Sequence, residues 1–275
     1  MSRIFITGSA DGLGQMAARL LVEAGHQVVL HARTAARADQ ALQAVPQAEA
    51  ALIGDLSGIA ATIALAGQVN QLGRFDAVIH NAAVGYQEPR RIATVDGLPH
   101  VFAVNTLAPY ILTALIQKPR RLVYLSSGLH RSGDASLDDL AWERRPWRGT
   151  AAYSDSKLHD ALLAFAMARR WPQVMSNALE PGWVATKMGG PGAPDDLQAA
   201  PKTQVWHRQR RVLLSHEALR DASGGARRCR SGAFDRGVCG VFRHPLAGLT
   251  QAPDQRPAPC VACPPTGREA GASSR

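Results

Sequence analysis

The stretch Arg3-Ile4-Phe5-Ile6-Thr7-Gly8-Ser9-Ala10-Asp11-Gly12-Leu13-Gly14 begins as a run of β-branched and aromatic residues and ends in a glycine-rich turn. Helical periodicity then takes over from Leu13 to Ala24. In a strand–turn–helix of this kind each glycine has its own task. Gly8 permits the tight turn, Gly12 lets backbone approach a phosphate, and Gly14 lets the helix pack closely. The helix N-terminus offers free amides and a partial positive charge to an anion. A glycine triplet alone marks only a turn, but a strand before it and a helix after it make this a dinucleotide-binding signal.

Outward from that stretch the pattern repeats. Gly25 stops the first helix, and further strands are expected over 27–31, 51–53, 75–80, 121–126 and 174–179. Between them lie helices ending at Ala44 and spanning 58–72, a mainly helical 94–117 broken or kinked at Pro109, and 150–170. Strands alternating with helices at this spacing build a parallel sheet covered on both faces. The fold class is therefore α/β, a Rossmann-type doubly wound parallel sheet in a single domain spanning 1–204.

After about residue 204 the alternation dissolves into an atypical segment, 205–275, rich in Arg, Cys, Gly and Pro. This segment holds 12 Arg and no Lys against 5 acidic residues, whereas the first 204 residues are nearly neutral. The +9 net charge of the 275-residue chain is thus mostly a property of the tail, which argues against nucleic-acid binding by the main domain. All four cysteines (Cys229, Cys239, Cys260, Cys263) also lie there, so the body has neither a disulfide framework nor a thiol catalyst. Cys260 and Cys263 could form half of a zinc site, but the other pair has poor spacing; disorder is the plainer expectation. The abrupt change in composition also resembles a GC-rich frame read in the wrong register. No stretch reaches the length of a membrane span and no leader pattern opens the chain, which points to the cytoplasm.

The spacing Thr-Gly-x3-Gly-x-Gly over Thr7–Gly14 resembles the short-chain dehydrogenase/reductase family, which implies cofactor contacts from Thr7, Gly8, Ser9, Asp11, Gly12, Leu13 and Gly14, and later motifs fit the same resemblance. Asp55-Leu56 follows the third strand, where the family uses an Asp to contact adenine; a helix N-cap is the other role for Asp55, and the two can coexist. Asn81-Ala82-Ala83 is similar to the family's Asn-Asn-Ala-Gly turn, with His80 in place of the first Asn and Ala83 in place of the Gly. Phe102-Ala103-Val104-Asn105 resembles the helix that carries the family's catalytic Asn. Ser126-Ser127 ends the fifth strand, and the resemblance assigns Ser127 to the substrate carbonyl oxygen, with Ser126 as its rival. Pro181-Gly182-Trp183-Val184-Ala185-Thr186 is similar to the Pro-Gly-x3-Thr segment that contacts the nicotinamide.

Tyr153 and Lys157 complete the set. Residues four apart share a helix face. A nearby ammonium favours the phenolate over the neutral phenol, whose ordinary pKa is about 10, and so makes a tyrosine a usable acid/base. The 26 residues from Ser127 to Tyr153 resemble the longer loop of the retinol-dehydrogenase-like branch; substrate contact and a plain surface loop are both open to it.

An acid at the end of the second strand would select NAD; here His31-Ala32-Arg33 stands there with Arg37 one turn on. Arginine pairs with a 2′-phosphate, so NADP(H) is favoured over NAD(H), with Asp11 as a counter-signal. The resemblance implies an oxidoreductase interconverting a small-molecule carbonyl and alcohol. Tyr153 is its general acid/base, Ser127 polarises the substrate, Lys157 holds the ribose, Asn105 places a relay water, and no metal takes part. The alternative is a non-catalytic dinucleotide-binding or sensor protein with a defective C-terminus. The family's C-terminal region often forms an oligomer interface, and in the tail here only 205–221 reads as helical, without the pattern of the family's final helix and strand.

Overall fold

The computed structural model describes residues 1–205. The tail's cysteines, its arginine-rich arm and all but the first residue of a helix expected over 205–221 lie outside the described residues.

Six strands form one parallel sheet: β1 Arg3–Ile6, β2 Gln27–Ala32, β3 Ala50–Ile53, β4 Ala77–His80, β5 Arg121–Leu125 and β6 Met175–Leu179. Their order is β3-β2-β1-β4-β5-β6, the doubly wound topology. Apart from the edge strand β3, whose Ile53 is 40% exposed, the strands are buried on both sides, as Val28-Val29-Leu30 and Leu122-Val123-Tyr124 lead one to expect. Ala18 and Leu21 of α1 (Gly12–Glu23) and Ala41 of α2 (Ala35–Ala44) pack against Ile4, Ile6, Val28, Leu30, Val123 and Leu125. The α3 helix (Ile59–Gln71) packs against α5 (Ala108–Leu115), and α6 (Gly149–Arg170) against β5 and β6. Strand order reverses between β1 and β4, and a crevice opens there at the carboxyl ends of the strands.

The sequence reading needs correction over 94–117. The helix starts only at His100, because Asp96-Gly97 makes a turn (Gly97 φ +75°) between the paired residues Ala93 and Pro99. After α4 (His100–Phe102) the chain widens into a π-helical turn over Ala103–Leu107 before α5. The cause is Pro109. It has no N–H for the Asn105 carbonyl four residues back, and its ring would collide with that carbonyl in a regular helix.

Candidate functional site

The glycine loop behaves as its residues demand. Gly8 takes φ +62°, and a Cβ there would lie 2.7 Å from the Ala82 Cα. Gly12 takes φ +56° and faces open space. Gly14 has no room for a side chain, since a Cβ would meet Asn81 Nδ2 at 2.4 Å. The turn after β4 is laced to this loop. The amides of Asn81 and Ala82 donate to Thr7 Oγ1 at 3.0 and 3.1 Å, and Asn81 Nδ2 donates to the carbonyls of Thr7 and Gly8, each at 3.0 Å. His80 points the other way, stacking on Tyr124 and bonding Thr113 at 3.0 Å.

A cleft of about 600 Å³ runs over this loop, a size suited to a cofactor. Of the residues singled out from sequence, Gly8, Asp11, Gly12 and Leu13 line its glycine-loop side, with Arg33, Asp55 and Leu56 at one end. Asn81, Ala82 and Ala83 line its middle, and Tyr153, Lys157, Pro181 and Thr186 its other end. Thr7, Ser9, Gly14, Asn105, Ser127, Gly182 and Val184 are not in the lining. Ser9 turns inward: its hydroxyl donates to the Ile6 carbonyl at 3.0 Å and accepts from the His31 amide at 2.9 Å. Asp55 lines the cleft without capping α3. Its carboxylate accepts from the Ser57 amide at 2.9 Å, while the first amide of α3 is met by Asp96 at 2.8 Å. Slight burial raises the Asp55 pKa, but the Ser57 donors and the Arg33 charge outweigh it and hold it below the usual carboxylate range.

Asp11 precedes α1 yet makes no side-chain cap, so the first amides of that helix lack a carboxylate partner. Its carboxylate is paired instead with Arg37 at 2.6 Å and Lys187 at 3.0 Å. The suspected repulsion of a phosphate by Asp11 is thereby balanced by two cations at the same place. Neither Lys187 nor Met188 was identified from sequence, because nothing local shows that a loop near residue 187 returns to residue 11.

His31 is a further residue missed. The Gly8 amide donates to its Nδ1 at 2.9 Å, which requires the proton on Nε2, and Nε2 donates to the Gly54 carbonyl at 2.9 Å. Burial pushes its pKa down to about 4, against the opposing pull of Gly54 and Asp55. A neutral imidazole thus ties the glycine loop to the end of β3.

At the other end Tyr153 and Lys157 rise from one face of α6. The Tyr153 ring meets Tyr86 edge-on at 5.6 Å, its hydroxyl lies 3.8 Å from Met188 Sδ, and Lys157 Nζ is 5.6 Å from its ring centre. Ser126 is buried and donates to the Lys157 carbonyl at 2.7 Å. Ser127 is half-buried, and its oxygen accepts from the Leu129 amide at 3.3 Å. Asn105 clamps Val84 in both directions, accepting from its amide at 2.8 Å and donating to its carbonyl at 3.0 Å, and it also donates to Ser156 at 3.0 Å.

The Ser-to-Tyr segment is a built wall. Trp142 holds the left-handed conformation (φ +52°), disfavoured for a bulky residue. Arg145 lies 3.7 Å above its ring and pairs with Asp155 at 2.6 Å. Trp147 donates to the Glu88 carbonyl at 2.9 Å. Neither tryptophan lines the cleft; they brace the 84–91 loop that brings Tyr86 to Tyr153.

Residues 2–123 match the family model described as short chain dehydrogenase. An uncharacterized oxidoreductase of Emericella nidulans is 47% identical over 260 residues, covering 93% of this chain and 94% of that protein. The chain belongs to the short-chain dehydrogenase family. That match, by its extent, runs past residue 204 into the atypical segment. A short-chain dehydrogenase of Penicillium rubens is 43% identical over 208 residues, covering 74% of this chain and 80% of its own. Human retinol dehydrogenase 14 is less similar, at 32% over 213 residues, covering 68% and 62%. Among solved structures, a metagenomic short-chain oxidoreductase in complex with NADP aligns with a TM-score of 0.52 at 26% identity, covering 69% of this chain and 86% of that one. This short-chain dehydrogenase is accordingly an NAD(P)-dependent oxidoreductase acting on a small molecule. Among the described residues no helix is long and apolar enough to cross a membrane.

Proposed function

We propose that this short-chain dehydrogenase is an NADP(H)-dependent carbonyl reductase or alcohol dehydrogenase with Tyr153 as its general acid/base. One observation carries the reading. The same cleft is bounded by an uncapped helix N-terminus and Arg33 and Arg37 toward one end, and by Tyr153 and Lys157 at the other. The open space over Gly12 fits a pyrophosphate, and the two arginines fit a 2′-phosphate. The solved metagenomic relative bound to NADP supports the same preference.

In this reading the nicotinamide, when bound, supplies or accepts the hydride. Tyr153 exchanges a proton with the substrate oxygen. Ser126 lines the cleft but has given its proton to the Lys157 carbonyl, whereas no acceptor for the Ser127 hydroxyl proton lies among the described residues, which favours Ser127 as the group that polarises the carbonyl. The Asn105 side chain is spent on Val84 and Ser156, but its carbonyl lacks a regular helical donor at Pro109 and suits the holding of a relay water. Gly182 and Val184 would act through backbone, Thr186 through its position on the cleft. Met188 gives the substrate end an apolar wall, and Tyr86 packs against the Tyr153 ring, which favours a carbonyl flanked by hydrophobic groups. The built 128–148 wall supports a retinol-dehydrogenase-like layout, and NADPH-linked reduction suits a cytoplasmic setting. Residues 1–204 form the dinucleotide-binding domain in this reading, and 205–275 a separate segment whose reading frame sequencing of the locus checks.

The test is a carbonyl and alcohol panel run with NADPH and NADP⁺. Tyr153→Phe should lower kcat about 10²-fold or more and leave NADPH binding intact by fluorescence titration. Turnover that survives in Tyr153→Phe overturns the assignment; cofactor binding with no turnover in the native protein favours the sensor reading.

A further inference from the structure

Asp160 stands one turn below Lys157 on α6, with both side chains almost wholly buried. The Lys157 ammonium donates to Asp160 Oδ2 at 2.9 Å and to the Leu125 carbonyl at 2.6 Å. An ammonium has three protons. Two are thus directed into protein, and the third is left for the cleft that Lys157 lines. We propose that Asp160 is a positioning residue: its buried carboxylate keeps Lys157 cationic and aims the ammonium's remaining donor at the cofactor.

The physical case is one of competing terms. A lysine this far from water loses its charge readily, because desolvation penalises the ammonium. Burial does lower Lys157, but Asp160 and Tyr153 outweigh it and hold its pKa above the ordinary lysine value. Asp160 itself is pushed up to about 6 by burial, with Lys157 pulling the other way. The other titratable groups nearby do not replace it. Tyr124 on β5 is raised well above its ordinary value by burial, and His80 on β4, stacked on Tyr124, is pushed down to about 3. His159 on α6 is likewise pushed down to about 3. All three are neutral near pH 7, which leaves Asp160 as the anion beside Lys157. A lysine between a carbonyl and a carboxylate also has its rotamer settled before any ligand arrives, which lowers the ordering cost of binding. The i+3 spacing is invisible as a signal in sequence, since an exposed Lys–Asp pair at that spacing is common on helix faces.

The proposal rests on the cofactor reading of the cleft, and its test separates the two. The chain has only four lysines, Lys118, Lys157, Lys187 and Lys202, so lysine-labelled protein permits each ammonium to be titrated by NMR. In the native protein Lys157 should titrate above the ordinary lysine value; a titration below that value overturns the proposal without any variant. In Asp160→Asn, an isostere that keeps an acceptor and loses the charge, the Lys157 titration should fall by at least about one pH unit. NADPH affinity, read by fluorescence, should stay near native below that lowered Lys157 titration and fall about tenfold above it as the ammonium loses its proton. Asp160→Glu should restore most of both effects. A Lys157 titration that is unchanged in Asp160→Asn, or an NADPH affinity lost equally at all pH values, overturns the proposal. If native protein binds no NADPH, the cofactor reading fails, while the lysine titration still judges the Asp160–Lys157 coupling.

Discussion

The two ends of the cleft hold ion pairs of opposite character. At the phosphate end Asp11 meets Arg37 and Lys187, with half of the Asp11 side chain and 85% of the Lys187 side chain exposed. At the chemical end Lys157 meets Asp160 with each side chain 3–4% exposed. Exposed pairs are worth little, about 0–1 kcal/mol, and exchange partners easily. Breaking a buried pair leaves an uncompensated charge and costs more. The difference suits the tasks. In the proposed reading, the cations that would transfer to an incoming phosphate are held loosely, and the cation beside Tyr153 is held firmly.

The largest expected effect breaks the buried side of this comparison. Lys157→Met should reduce turnover at least 10²-fold and destabilise the protein by about 3 kcal/mol in urea unfolding; a loss of activity with unchanged stability would contradict the firm pair. Next comes cofactor choice at the loose end. Arg33→Ala with Arg37→Ala should cut the NADPH-over-NADH preference in kcat/KM roughly 10–100-fold at low salt, with little change in stability, and an unchanged ratio would remove the arginines from the phosphate site.

Acid sharpens the contrast further, because the buried side also holds neutral histidines. Burial lowers His31 to about 4, and His80 and His159 to about 3 each. Unfolding lets these groups take up protons below about pH 6.5, so their stabilisation is complete above that pH and is lost as pH falls toward 4, at about 1.4 kcal/mol per pH unit for each. Asp160, raised to about 6, opposes this between its unfolded and folded values by favouring the native state as pH falls. Tm should therefore drop on acidification by less than three protons' worth, and His80→Gln should flatten the slope by about one. The smallest effect belongs to Asp11→Ala, which frees Arg37 and Lys187. Stability should change by no more than about 0.5 kcal/mol and NADPH should bind a few-fold tighter by titration; a large destabilisation would show the pair to be structural.

The strand–helix alternation, the glycine loop and the Tyr153–Lys157 pair were legible because their signals are local: a hydrophobic period, a turn requirement, or a spacing within one helix. The start of the fourth helix was not, because Asp96-Gly97 and Pro99 override the apolar run over 94–117. Ser9, read as a cofactor contact, is turned inward by a bond to His31 that joins residues 22 apart. The Trp142 and Trp147 segment carried no sign that it would brace Tyr86 rather than line the cleft.

What the sequence determined by itself was the sheet, its winding and the crevice, since burial patterns and right-handed crossovers leave little choice of topology. Only the tertiary structure decided where Lys187 lands, which tautomer His31 adopts, and that Asp160 lies beneath Lys157 in a dry interior. Those outcomes depend on solvent exclusion and on contacts between distant segments, and a charge in a sequence carries no mark of the dielectric it will meet.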